Sequence, residues 1–156
     1  MLEKSKPIGK VNEASKEFIM ELLGDEETHG IDIDCIYYIE GRGWIIFEFL
    51  KCDTVDPYES HPNRYPFNWK KFATLFELSR SLGGKLILVN YSKEDKWKNN
   101  IKLLFVKNVD VKKVLKDLSS GSRYSEYIEA EEQVTDLSEF RKWFVELNKK
   151  AGFPWR

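Results

Sequence analysis

One run of sequence constrains this chain more than any other. Trp44-Ile45-Ile46-Phe47-Glu48-Phe49-Leu50 is β-branched and aromatic, and apolar on both alternating faces. That is the pattern of a strand covered on both sides of its sheet. The turn Glu40-Gly41-Arg42-Gly43 precedes it, and before the turn comes a second strand-like run, Ile31 to Ile39. Together they predict a β-hairpin whose second strand is interior.

The remaining elements follow from periodicity and breakers. Val11, Ala14, Phe18, Ile19 and Leu22 repeat at helical spacing and predict a helix from Val11 to Leu23, stopped by Gly24. Thr54 to Pro66 carries three prolines and no period, which reads as an ordered loop. A helix with Trp69, Phe72, Leu75 and Phe76 facing inward should run from the Asn68 cap to Leu82, where Gly83-Gly84 ends it. Strands are expected at Lys85 to Tyr91 and at Ile101 to Val106. A short helix at Val111 to Leu118, a polar loop near Ser119 to Ser125 and a last helix at Leu137 to Lys149 complete the chain. Asp136 or Thr135 is available to cap the last helix. The expected order is α-β-β-α-β-β-α-α, an α/β fold with a mixed four-stranded sheet flanked by helices. A helix between two strands requires a crossover, so at least one strand pair should be parallel.

With 156 residues, 42% of them hydrophobic, the chain is long enough to close one core, and a single domain over 1–156 is expected. No apolar run approaches the ~20 residues of a membrane span. The charged start, Met1 to Pro7, lacks the apolar stretch of a signal peptide, so a cytoplasmic, non-membrane protein is expected. Cys35 and Cys52 cannot build a disulfide framework and read as small buried hydrophobes. The net charge of −1 does not point to nucleic acid by itself.

The chemical signal is a pair of carboxylates inside apolar strands, Asp34 in Ile33-Asp34-Cys35-Ile36 and Glu48 in Ile46-Phe47-Glu48-Phe49. A buried carboxylate must be paired, hydrogen-bonded, protonated or bound to a metal. A tight hairpin can set the two side by side, and such a pair suits Mg²⁺ or Mn²⁺, which prefer oxygen ligands and keep several waters. The plainer alternative has Asp34 capping a turn or pairing with an arginine, and Glu48 bridging to Lys51 or Arg42 at a sheet edge.

These residues resemble the PD-(D/E)xK nuclease superfamily, which includes many restriction endonucleases and Holliday-junction resolvases. Ile31 to Tyr37 is similar to its Asp-bearing strand and Trp44 to Lys51 to its Glu-bearing strand; the likeness spans roughly Val11 to Val106. It implies a restriction-endonuclease-like core and a metal-dependent DNA endonuclease that hydrolyses phosphodiesters with activated water. It further implies that Asp34 and Glu48 hold the cation and that a nearby lysine orients the water or stabilises developing charge. Glu21 on the first helix, ahead of Glu17, would be an additional metal ligand. DNA is the implied partner, and a homodimer would permit double-strand cleavage. A member that has lost activity, and binds nucleic acid or a protein as an accessory subunit, is the alternative.

The sequence departs from the family pattern at the lysine. Phe49 and Leu50 separate Glu48 from Lys51, so in a regular strand Lys51 points away from the acid. Either a β-bulge returns Lys51 to the site, or Lys71 on the next helix substitutes, or Leu50 stands where the lysine was. Elsewhere, Asp53, Asp56, Glu59 and His61 form a loop cluster with the residue types of a second cation site. Tyr58, His61, Asn63, Arg64 and Tyr65 mix aromatic, cationic and hydrogen-bonding groups suited to DNA contact or to an ordinary surface flap. Trp143 is a core or dimer-interface residue, and Phe153-Pro154-Trp155 a segment that docks back or meets a partner.

Overall fold

The computed structural model describes residues 13–151. The chain divides into two compact units, Met1–Asp32 and Ile33–Arg156. In the first, helix α1 (Ala14–Leu23) ends on Gly24, whose φ of 59° is the left-handed backbone that glycine tolerates. Lys16 bridges Glu13 and Asp32 there, at 3.8 and 3.4 Å. None of the α1 side chains is buried. Val11 and the Phe153-Pro154-Trp155 segment lie outside the described residues.

The second unit is α/β, with a five-stranded mixed sheet in the order β1-β2-β3-β4-β5. Its elements are β1 (Cys35–Ile39), β2 (Gly43–Lys51), α2 (Trp69–Ser81), β3 (Lys85–Tyr91), β4 (Asn100–Val109), α3 (Val111–Ser119), β5 (Ile128–Asp136) and α4 (Leu137–Lys150). β1 and β2 form the expected hairpin, but β1 begins at Cys35 and leaves Ile31 to Asp34, expected as strand, outside the sheet; β2 and β3 are parallel on either side of α2. β4 and β5 add on antiparallel.

The sheet therefore has five strands where four were expected. The missed strand, Ile128-Glu129-Ala130-Glu131-Glu132-Gln133-Val134-Thr135-Asp136, is mostly exposed and carries four acidic residues. It sits at the sheet edge, where charges discourage pairing with another chain and the apolar alternation fades. Asp136 does cap α4, its side chain accepting the Glu139 N–H at 2.8 Å. Asn68 occupies the N-cap position of α2 without a side-chain cap bond.

Strand alternation divides the interior into two layers. On one face Ile45, Phe47, Ile87, Val89 and Leu103 pack with Phe140, Trp143, Phe144 and Leu147 of α4. Trp143 is half-buried and packs against this core. On the other face Ile46, Leu86, Leu88 and Leu104 are buried, and α2 lies over β2, β3 and β4 with Phe72 and Leu75 buried. Glu48 is on that second face. Among the described residues no helix is long and apolar enough to cross a membrane.

Candidate functional site

Hairpin register brings the two acids together. Cys35 pairs with Phe47 at the last step of the β1–β2 ladder. One step further places Asp34 across from Glu48, and opposed residues of an antiparallel pair share a face. Asp34 Oδ2 accepts the Phe49 N–H at 2.8 Å, a backbone bond that fixes the carboxylate where the ladder ends. Asp34 is exposed, whereas Glu48 is only 3% exposed. The pair therefore has one dry oxygen donor and one wet one.

The lysine comes from the helix. Lys71 Nζ lies 2.5 Å from Glu48 Oε1, and its side chain keeps 35% of its surface in solvent. Lys51 does not join them. β2 pairs with β3 residue for residue through Phe49–Val89, Leu50–Asn90 and Lys51–Tyr91, so no bulge interrupts β2. Regular alternation turns Lys51 to the face opposite Glu48, where it bridges Asp53 at 3.6 Å. The expectation that Lys51 completes the site is corrected on that ground. Leu50 holds the strand position on the Glu48 face, and Lys71 is the lysine that reaches Glu48.

The electrostatics follow from the burial. Loss of water raises the Glu48 pKa above the ordinary carboxylate value; the bond from Lys71 pulls it down, and the Asp34 charge and a carboxyl–carboxyl contact with Asp34, which favours a shared proton, push it up. Burial wins. The neighbouring Cys35 thiol is pushed up to about 12, first by burial and then by the charges of Asp34 and Glu48. Cys35 and Cys52 are both buried and free, as their composition suggested.

One atom remains unsatisfied. Glu48 Oε2 is the single buried side-chain oxygen or nitrogen without a hydrogen-bond partner among the described residues. Buried acceptors are almost always bonded, so an orphan marks a place for an ion, a water or strain. Two carboxylates, one with an open oxygen, fit a Mg²⁺-type ion that takes its other ligands from water and phosphate. Among the described residues no three His, Cys, Asp or Glu side chains gather to hold a metal ion, so Asp34 and Glu48 stand as two carboxylates without the third that was expected from Glu21. Glu21 is exposed on α1, in the first unit.

The loop residues have structural work. Asp56 accepts the Tyr58 N–H and the Asn100 amide, both at 2.9 Å, and Asp53 is taken by Lys51. His61 Nδ1 accepts the Asn63 N–H at 3.0 Å and burial lowers its pKa. These acids and His61 therefore form turns and ties, and no cation cluster.

Sequence reasoning missed a second buried charge. Lys102, only 4% exposed, pairs with Glu132 of β5 at 2.5 Å on the Glu48 face of the sheet. Beside it Asn90 donates to the carbonyls of Pro57 and Ser60 at 3.1 and 2.8 Å, pinning the loop before α2. The signal that singled out Glu48, a charge inside an apolar strand, is equally present in Ile101-Lys102-Leu103-Leu104.

A cavity of about 550 Å³ lies on the opposite face, between α4 and the sheet. Its floor is Ile45, Ile87 and Leu103, and none of Asp34, Glu48 or Lys71 lines it. No family model, no curated protein and no solved structure matches this chain.

Proposed function

We propose that this chain is a Mg²⁺- or Mn²⁺-dependent DNA endonuclease on a PD-(D/E)xK-like core, with its lysine carried by α2. The observation that supports this reading is the orphaned Oε2 of buried Glu48, in a carboxylate that faces Asp34 and is bonded through Oε1 to Lys71. A purely structural ion pair at this depth needs both carboxylate oxygens satisfied, since an uncompensated buried acceptor costs about 1–3 kcal/mol.

Asp34 and Glu48 would hold the cation. When bound, it supplies Lewis-acid polarisation of the phosphate and a water of lowered pKa. Asp34, steadied by the Phe49 N–H, keeps its place at the wet rim where substrate arrives. Lys71 is half-exposed, so its ammonium can release Glu48 and donate to a phosphate oxygen or hold the attacking water. Water is the nucleophile, and no covalent intermediate is required.

The test is cleavage of plasmid, single-stranded and branched DNA in Mg²⁺, Mn²⁺ and EDTA, with Glu48→Ala as control. Metal-dependent cutting that vanishes in the variant supports the enzyme. Absence of cutting and of Mn²⁺ binding by calorimetry would leave the inactive accessory protein as the better reading.

A further inference from the structure

The segment that delivers Lys71 has an unusual surface. Arg64-Tyr65-Pro66-Phe67-Asn68-Trp69-Lys70-Lys71 contains three cations, and no acidic residue occurs from Pro62 to Phe76. The first turn of α2 also lacks acidic residues and carries Lys70 and Lys71 instead. Lysines at the positive end of a helix run against its dipole, a local conflict of the kind that occurs at functional or strained sites. Among the described residues neither Arg64 nor Lys70 has an acidic partner; Lys70 lies over the Trp69 ring at 5.8 Å.

The same segment holds Phe67, 77% exposed and the most exposed large hydrophobic residue described, with Tyr65 at 40%. This exposure does not come from a loose loop. Pro62, Asn63 and Pro66 are buried. Asn63 Oδ1 accepts the Ile128 N–H at 2.9 Å, its carbonyl accepts the Ser125 N–H at 3.0 Å, and the Tyr65 carbonyl accepts the Tyr127 hydroxyl at 3.0 Å. A short 3₁₀ turn, Pro66–Asn68, then presents Phe67 immediately ahead of α2. An exposed aromatic ring on a backbone held just ahead of it, flanked by cations without acidic partners and four residues from Lys71, has the form of a base-stacking platform.

We infer that Arg64 to Lys71 binds an unpaired DNA strand, with a base stacked on Phe67 and phosphates on Arg64 and Lys70. This inference rests on the nuclease reading and narrows its substrate to DNA with single-stranded or displaced bases beside the cut. Duplex DNA hides its base faces and offers Phe67 nothing to stack on; a single strand offers a ring at every residue.

The experiment is fluorescence anisotropy of the full chain in EDTA with labelled oligothymidylate, a blunt hairpin duplex and a forked duplex. Wild type should bind the single strand and the fork at least about tenfold more tightly than the blunt duplex, and Phe67→Ala should erase about tenfold of that affinity. Phe67→Trp should retain it. Arg64→Gln with Lys70→Gln should lower the slope of log affinity against log salt by about 0.7 per phosphate contact. Because Phe67 is exposed, its replacement leaves the fold intact, which circular dichroism verifies. Equal affinity for single strand and blunt duplex, or wild-type binding by Phe67→Ala, overturns the inference. Those results together with metal-dependent duplex cutting would leave the nuclease standing without the platform. Phe67-dependent strand binding with no cutting in any metal would do the reverse.

Discussion

Lys71 of α2 meets Glu48 of β2 across the helix–sheet boundary, 2.5 Å from Oε1, while Lys51, three residues along the strand from Glu48, turns to the other face. Proximity in sequence and proximity in space disagree because strand alternation is strict where the ladder is regular. Helix packing can restore a side chain that the strand cannot.

The two lysines should therefore separate cleanly in a kinetic test. Lys71→Ala should lower kcat by about 10²–10³, the loss typical of a removed donor to developing charge. Lys51→Ala removes only an exposed pair with Asp53, and its rate should stay within about twofold, since exposed pairs contribute about 0–1 kcal/mol. Single-turnover cleavage checks both, and equal losses would point away from α2 as the source of the amine.

Glu48→Gln should raise thermal stability of the metal-free protein at alkaline pH. The folded-state pKa of Glu48 is raised by burial, so protonation favours the fold and the ionised side chain costs stability. The benefit of the proton is complete below the unfolded carboxyl pKa and is lost as pH rises through the raised folded value. Melting in EDTA should show the variant above wild type at pH 8 and the gap closing as pH falls towards 4. Mn²⁺ at about 100 times its Kd should then stabilise wild type by about 2.7 kcal/mol and leave the variant unmoved. A pH-independent difference would contradict the buried-carboxylate account.

Asymmetry is expected at the other buried charge. Glu132→Ala strands Lys102 in the interior and should cost about 3–5 kcal/mol. Lys102→Met fills the same space and leaves Glu132, whose side chain is 45% exposed, free to hydrate, so it should be close to neutral. Urea unfolding of the two variants gives the comparison; a larger loss for Lys102→Met would reverse the assignment of which partner is costly alone.

Gly84→Ala should be severely destabilising. A Cβ at Gly84 would clash with the Trp44 carbonyl oxygen and lie 2.8 Å from the Trp44 Cβ, and the backbone has little room to step aside where the β2–β3 ladder begins at the next residue pair. The loss should reach or exceed about 3 kcal/mol. Gly83→Ala meets no neighbour and is strained only by its φ of 65°, so it should cost less. Denaturant midpoints of the pair decide.

Much of the fold was legible before any coordinates. The β1–β2 hairpin, α2, β3 and the parallel β2–β3 crossover follow from apolar period, turn glycines and the need to cover both faces of Trp44 to Leu50. β5 was not, because an edge strand with one wet face and four acids lacks the alternation that identifies buried strands.

The sequence by itself singled out Glu48 as a charge in an apolar strand and Asp34 as its hairpin neighbour, although Asp34, expected within a strand, lies exposed just ahead of β1. Tertiary structure alone decided which lysine meets Glu48 and which of its oxygens is left open. Those outcomes depend on how α2 lies across β2, on a contact 23 residues apart along the chain (Glu48 to Lys71), and on burial that only the packed layer creates. Local pattern fixes the face a side chain occupies; packing between layers fixes what it meets there.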